Sequence, residues 1–354
     1  MTIENLDQVT AELRSHIITL IQSHDLTKDR EARRVASAIE DAFRRLHVRM
    51  EEVIPQALLV EYYNGMESAQ FNISGDQIRF IAENGKITER FKTQIHLNAV
   101  SEVVNDTMSD LLAAYRTAEA NTLSTIKRTV SSVKEELTAG AVTGAARKQV
   151  TQRVSDAFLK DGMTSFITKD GKKLPLDFYA ATVTATKSRQ ASVNGHINRY
   201  TEEGTDLVEI TGNNPTCETC ARYQGMVFSL SGKTPGYPKY PADLLPLHPH
   251  CQCGLLPVPI QYMSSNEIKA MQDRNTEFAP ADDRRSDYEK SRYESMMAEK
   301  RQENAEKKMY ARMQALLGAD APKDLGAFRR MKRANTLKYQ ELYSNYLSAT
   351  HSVL

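Results

Sequence analysis

Cysteine placement limits this chain more than any other feature. All four cysteines fall in two short runs, CETC at 217–220 and HPHCQC at 248–253. The second run adds His248 and His250. A C-x-x-C turn aims two sulfurs at one point, and a donor-rich segment from elsewhere in the chain can complete a tetrahedral zinc site. The spacing therefore predicts a zinc held by Cys217, Cys220, Cys251 and Cys253. Four thiolates would close the coordination shell, which makes the ion structural. His248 competes for the fourth place, and His250 reads as a solvated loop histidine. Pro215 and Pro249 stiffen the two loops and reduce the entropy lost on ordering them. Two other readings stay open. The thiols could be reduced and partly buried, or C-x-x-C could be a redox pair, although its flanks read as loop rather than as the strand-to-helix turn of a thioredoxin-like site.

The start, MTIENLDQVTAELRSH, has neither a basic n-region nor an apolar h-region, so a secretory signal is not expected. The expectation is folding in a reducing cytoplasm, where clustered cysteines favour metal over disulfides. No run approaches the roughly 20 apolar residues of a membrane span, so no membrane is expected. The net charge of +1 favours neither nucleic acid nor membrane as a global partner.

Around the cysteines the hydrophobic period is mostly helical, and the expected fold class is mainly α. A helical N-terminal region covers 1–161, an α+β zinc-knuckle-like module 162–262, and a charged helical region 263–354. Ile3, Leu6, Val9, Leu13, Ile17 and Leu20 form one stripe, and Val35, Ile39, Phe43 and Leu46 a second. YYNGMESAQFNISGD at 62–76 holds two glycines and reads as a loop. A long amphipathic run from Leu97 to Leu137 is expected to break at Gly140 and Gly144, and a shorter helix carries Val150, Val154 and Phe158. Asp170–Gly171 between two short strand-like runs signals a hairpin. A helix is expected over 177–203, with strands at 206–211 and 225–230. Arg189 and His196 lie on that helix, on a polar face that is expected to be exposed.

Motifs for phosphate cradling, dinucleotide binding, zinc proteolysis and serine hydrolysis are missing, and the zinc deaminase order of histidine, glutamate and cysteines is not met. The chain is therefore not expected to be an enzyme. From Arg284 to Lys338, fifteen basic and eight acidic side chains leave an excess of seven positive charges. Arg329, Arg330, Lys332 and Arg333 concentrate it. A solvated helical face is the plain reading of such a cluster, and weak non-specific DNA binding is the functional one.

The segment GMTSFITKDGKKLPLDFYAATVTATKSRQASVNGHINRYTEEGTDLVEITGNNPTCETCARYQGMVFSLSG, followed by YP and HPHCQCGLLP, resembles the minor capsid protein 2 family of tailed bacteriophages. That family is related to the head-morphogenesis group typified by the F-like minor head proteins of phage Mu. The similarity runs over about 145–345, and the order of its pieces makes it specific. The resemblance implies a virion component in few copies, made in the host cytoplasm and placed at the portal vertex and head interior. It implies roles in head assembly and in DNA packaging or ejection. The implied partners are the portal protein, other capsid subunits and, non-specifically, packaged DNA. It does not itself establish a metal, but it raises the standing of His248, because H-P-x-C is its most recurrent part. Two other classes stand beside this reading. One is a zinc-dependent hydrolase or nuclease carried in the virion, and the other is a zinc-knuckle nucleic-acid-binding protein.

Overall fold

The structure is a computed structural model that describes residues 4–80, 87, 93–138, 146–276 and 283–351. Among these residues there are ten α-helices and five short strands, a mainly α architecture. In chain order the helices are α1 (Glu4–Ser23), α2 (Asp29–Ser74), α3 (Gln94–Thr138), α4 (Ala146–Ala157), α5 (Leu176–Glu202), α6 (Glu218–Ala221), α7 (Ser265–Thr276), α8 (Asp287–Leu317), α9 (Leu325–Ala334) and α10 (Leu337–His351). The strands are β1 (Thr164–Ile167), β2 (Lys173–Pro175), β3 (Leu207–Thr211), β4 (Val227–Ser229) and β5 (Gly254–Pro257). None of the helices described is long and apolar enough to cross a membrane. The expected break at Gly140 and Gly144 lies outside the described residues.

The chain divides into two compact units, each assembled from separated stretches. One draws on Glu4–Met50, Leu112–Ala180 and Met296–Leu354. The stripes expected from sequence form its interior: Leu13, Ile17, Val35, Ile39, Phe43, Leu46, Val130, Val133, Val150, Val154 and Phe158 are all buried. Phe43 meets Tyr115 edge to face at 5.4 Å. Asp156 of α4 is nearly buried and accepts two hydrogen bonds from Arg312 of α8, at 2.8 and 2.5 Å. β1 and β2 form the expected hairpin, with Gly171 supplying the positive φ of its turn. α9 and α10 close over Met313, Phe328 and Leu342. α9 ends on Asn335 in the left-handed conformation, a residue that tolerates it.

The other unit draws on Glu51–Leu111 and Ala181–Ser295. Here the structure corrects the sequence reading: 62–74 is not a loop but the continuation of α2. The glycine signal has another cause. A methyl group at Gly65 would overlap the backbone oxygen of Ser192 on α5, and one at Gly195 would overlap the backbone oxygen of Tyr62 on α2. The two glycines let the helix backbones approach each other directly. Only the second glycine, Gly75, ends the helix, with φ 76° and its N–H bonded to the Phe71 carbonyl at 2.8 Å.

Polar groups lock the same crossing. Asn198 donates to the Tyr62 hydroxyl at 2.7 Å, and that hydroxyl lies 2.8 Å from Nδ1 of the buried His96. Glu202 approaches the other ring nitrogen of His96 at 3.0 Å. Arg199 donates to Gln70 at 2.8 Å, tying α5 to α2 again.

This close approach predicts an effect opposite in sign to helix propensity. Alanine is favoured over glycine in a helix interior by roughly 1 kcal/mol. Because backbone would have to move, Gly65→Ala and Gly195→Ala are each expected to destabilise the protein, by about 2 kcal/mol. Chemical denaturation of each variant measures it, and a gain in stability would refute the crossing.

Candidate metal centre

Sheet topology explains how two distant cysteine runs meet. The three strands run in the order β4–β3–β5, all antiparallel. Thr211 pairs with Gly254, so the chain leaving β3 and the chain entering β5 lie side by side at one end of the sheet. Cys253 immediately precedes Gly254. A methyl at Gly212 would lie 3.2 Å from the Cys253 sulfur and would collide with the Gln224 amide, so the glycine keeps this corner open. The β3–β4 connection carries Cys217 and Cys220 on a single helical turn, where the Cys220 N–H donates to the Cys217 sulfur at 3.3 Å. β5 itself went unnoticed in the sequence, because GLLP is too short to show alternation.

The donors converge around Cys220. Cys217, Cys220 and His248 form one trio, and Cys220, Cys251 and Cys253 a second; within each, all ligand atoms lie within 4.8 Å of one another. Nε2 of His248 lies 3.1 Å from both the Cys217 and the Cys220 sulfur. The Cys220 and Cys251 sulfurs are 3.7 Å apart. Two sulfurs bound tetrahedrally to one ion at about 2.3 Å each would be about 3.8 Å apart, so this edge already has metal-site dimensions. Cys220, Cys251 and Cys253 are buried and Cys217 half-buried, and none is in a disulfide.

His248 is oriented for the role. Its Nδ1 lies 2.7 Å from the Pro249 carbonyl oxygen, which can only accept, so Nδ1 carries the proton. In the tautomer this contact selects, the lone pair is on Nε2, facing the sulfurs, the arrangement found at metal-bound histidines. His250 is exposed, as expected for a solvated loop residue, with its ring 3.4 Å from the Thr182 hydroxyl.

Crowded sulfurs cannot all ionise alone. The hydrogen bond to Cys251 pushes the Cys220 thiol far up, helped by Cys253 and by burial. The same hydrogen bond from Cys220 pulls Cys251 down, with Cys253 contributing in the same direction. A bound cation would relieve this conflict by compensating several thiolates at once. The donor set thus fits a metal ion that prefers sulfur and nitrogen.

Two arginines hold the loops. Arg189 of α5 donates through Nε to the Cys253 carbonyl at 2.7 Å, and through Nη2 to the Gln252 and Cys253 carbonyls at 2.9 and 2.5 Å. Arg285 donates through Nη1 to the Thr216 carbonyl at 3.3 Å and is itself gripped by both Asp283 oxygens, at 2.8 and 2.7 Å. The α5 polar face is therefore not the exposed surface expected from sequence. Arg189 and His196 are half-buried, and burial lowers the His196 pKa. No sequence pattern marks an arginine that binds loop carbonyls 63 residues away.

The basic cluster is split. Arg329 and Lys332 turn toward α8, where both pair with Glu306 at 3.1 and 2.9 Å. Their hydrogen bonds, that of Lys332 first, hold the Glu306 carboxyl below its ordinary range. Arg330 and Arg333 are exposed, Arg333 at the edge of the same cleft that Arg329, Lys332 and Glu306 line.

Against known proteins, the chain matches the family model described as phage minor capsid protein 2, over residues 6–347. No curated protein and no solved structure gives a significant match.

Because Cys220 belongs to both trios, its loss should disrupt metal uptake more than any other single change. Elemental analysis of purified protein is expected to show about one ion per chain and the lowest content in Cys220→Ser among single substitutions of the five donors. Equal retention in Cys220→Ser would mean that the trios do not act as one centre.

Proposed function

Given that the chain belongs to the phage minor capsid protein 2 family, we propose that it serves at the portal vertex and head interior, supporting head assembly and DNA packaging or ejection. The observation that carries this reading is the extent of the match, which spans both compact units rather than the cysteine module alone. A contribution to a shell suits the structure: helices closed by packing, and irregular loops held by cross-links rather than by a large core of their own. The partners of this reading are the portal protein and neighbouring capsid subunits. Cross-linking mass spectrometry on intact virions is expected to give low copy number and cross-links from α1 and the first half of α2 to the portal. Cross-links confined to the shell lattice would overturn the placement.

The metal in this proposal is zinc, and its role is structural. Support comes from the donors: four thiols and one imidazole exceed the four that tetrahedral zinc takes, so the shell can close without an open position for water. The chain on this reading is not an enzyme. Which element the purified protein carries tests the first point. A zinc-loaded preparation that hydrolyses DNA or peptidoglycan in a His248-dependent way would sink the second.

Packaged DNA is the third partner proposed, contacted weakly and without sequence preference. The exposure of Arg330 and Arg333, within a stretch of excess positive charge, supports it. Arg329 and Lys332 have a carboxylate partner already and are worth less to a phosphate. Replacing Arg330 and Arg333 by glutamine is expected to lower the salt slope of DNA binding by up to about two counterion units, each roughly 0.9. Replacing Arg329 and Lys332 should change it less. Filter binding across a salt series measures both, and an unchanged slope in the first double variant would remove DNA from the partners of α9.

A further inference from the structure

Both halves of the metal centre sit on backbone that has no regular partners. Residues 251–253 are in neither helix nor strand, and 212–217 form a loop before the short turn of α6. In each half, an arginine from outside the loop binds a carbonyl at or next to a cysteine. Arg189 takes the Gln252 and Cys253 carbonyls, and Arg285 takes the Thr216 carbonyl, one residue before Cys217. Each arginine is itself anchored. Arg189 projects from α5, six residues before Gly195, where α5 lies directly on α2. Arg285 is held by Asp283, and its guanidinium stands over the Tyr293 ring at 5.5 Å.

We propose that Arg189 and Arg285 are positioning residues of the metal centre, fixing the backbone of the two donor segments so that their side chains are preset for one ion. The inference rests on the metal reading above and adds to it the two groups that set affinity. Three properties carry it. A planar guanidinium can fork to two carbonyls at once, which fixes both the place and the tilt of the Gln252–Cys253 peptide unit. The Arg189 charge beside a thiolate-rich site offsets part of the negative charge that the ligands bring, whereas that of Arg285 is matched by Asp283. Without the arginines, carbonyls of the donor loops would lose their partners inside the fold, and the loops would sample conformations in which the sulfurs diverge. Outer residues of this kind typically change metal affinity by 10–100-fold.

The test uses the full chain: wild type, Arg189→Gln, Arg285→Gln, and Arg34→Gln on the exposed face of α2 as a charge control. Cobalt and zinc affinities come from competition with a chromophoric chelator, the ligand set from the cobalt absorption spectrum, and stability from melting of metal-free and metal-loaded forms. Expected is 10–100-fold weaker binding in each clamp variant, with the cobalt spectrum of wild type and little change in the metal-free melt. Binding within twofold of wild type overturns the inference. So does a loss of stability equal in metal-free and metal-loaded protein, which marks a general structural role. If Arg189→Gln does not fold, Arg189→Lys keeps the charge without the fork, and full wild-type affinity in that variant overturns the inference as well. A wild-type chain that takes up neither metal overturns the metal reading itself, and this inference with it.

Discussion

The contact between α2 and α5 at Gly65 and Gly195 underlies the unit that holds the four cysteines. Two helices with ordinary side chains pack 8–10 Å apart. Glycines facing each other's backbone remove that spacer. The resulting proximity lets Tyr62, Asn198 and His96 share hydrogen bonds, and lets Arg199 reach Gln70. Such a crossing has no slack: side chains cannot slide past each other where no side chain exists. α5 is thereby fixed in rotation as well as position, and it carries Arg189 to the cysteine loop.

The cysteine module shows what a thin core requires. Its hydrophobic cluster includes Val208, Ile210, Phe228, Tyr240, Leu245 and Leu255, and three of the four cysteines lie within that cluster. Thiols therefore serve there as small apolar side chains and as metal donors. The rest of the module is turn and loop. Asp206 staples one such loop, receiving hydrogen bonds from Ser229, Thr234 and the Ser231 amide. Burial opposes ionisation of Asp206, but these donors outweigh it and hold the pKa down to about 2. The staple thus persists above the ordinary carboxylate range and is lost as pH falls toward 2.

Much of this was legible in the sequence, for reasons that can be named. Long amphipathic stripes gave α1, α3 and the first half of α2, because period survives without knowledge of partners. The Asp170–Gly171 hairpin and the convergence of the cysteine runs followed from local chemistry. Gly65 misled because glycine has two unrelated uses, turning a chain and admitting a neighbour, and one sequence does not separate them. β5 was hidden by its brevity. Arg189, Arg285 and Glu306 were invisible as partners because each acts on groups distant in sequence. Four clustered basic residues looked equivalent, whereas Glu306 takes up Arg329 and Lys332 and leaves Arg330 and Arg333 exposed.

The interleaved make-up of the two compact units bears on how the chain is born. One unit joins Glu4–Met50 to Leu112–Ala180 and Met296–Leu354, and the other joins Glu51–Leu111 to Ala181–Ser295. A domain made of consecutive residues can fold as soon as it leaves the ribosome. Here the earliest helices must wait for α3 and α4, their partners within Leu112–Ala180, with their apolar stripes uncovered meanwhile, and the last part of the unit arrives only with the end of the chain. At roughly 5–20 residues per second, the first of these intervals lasts on the order of ten seconds. Folding of this unit thus lags behind the synthesis of its first helices, and its last stretch is added only when the chain is finished.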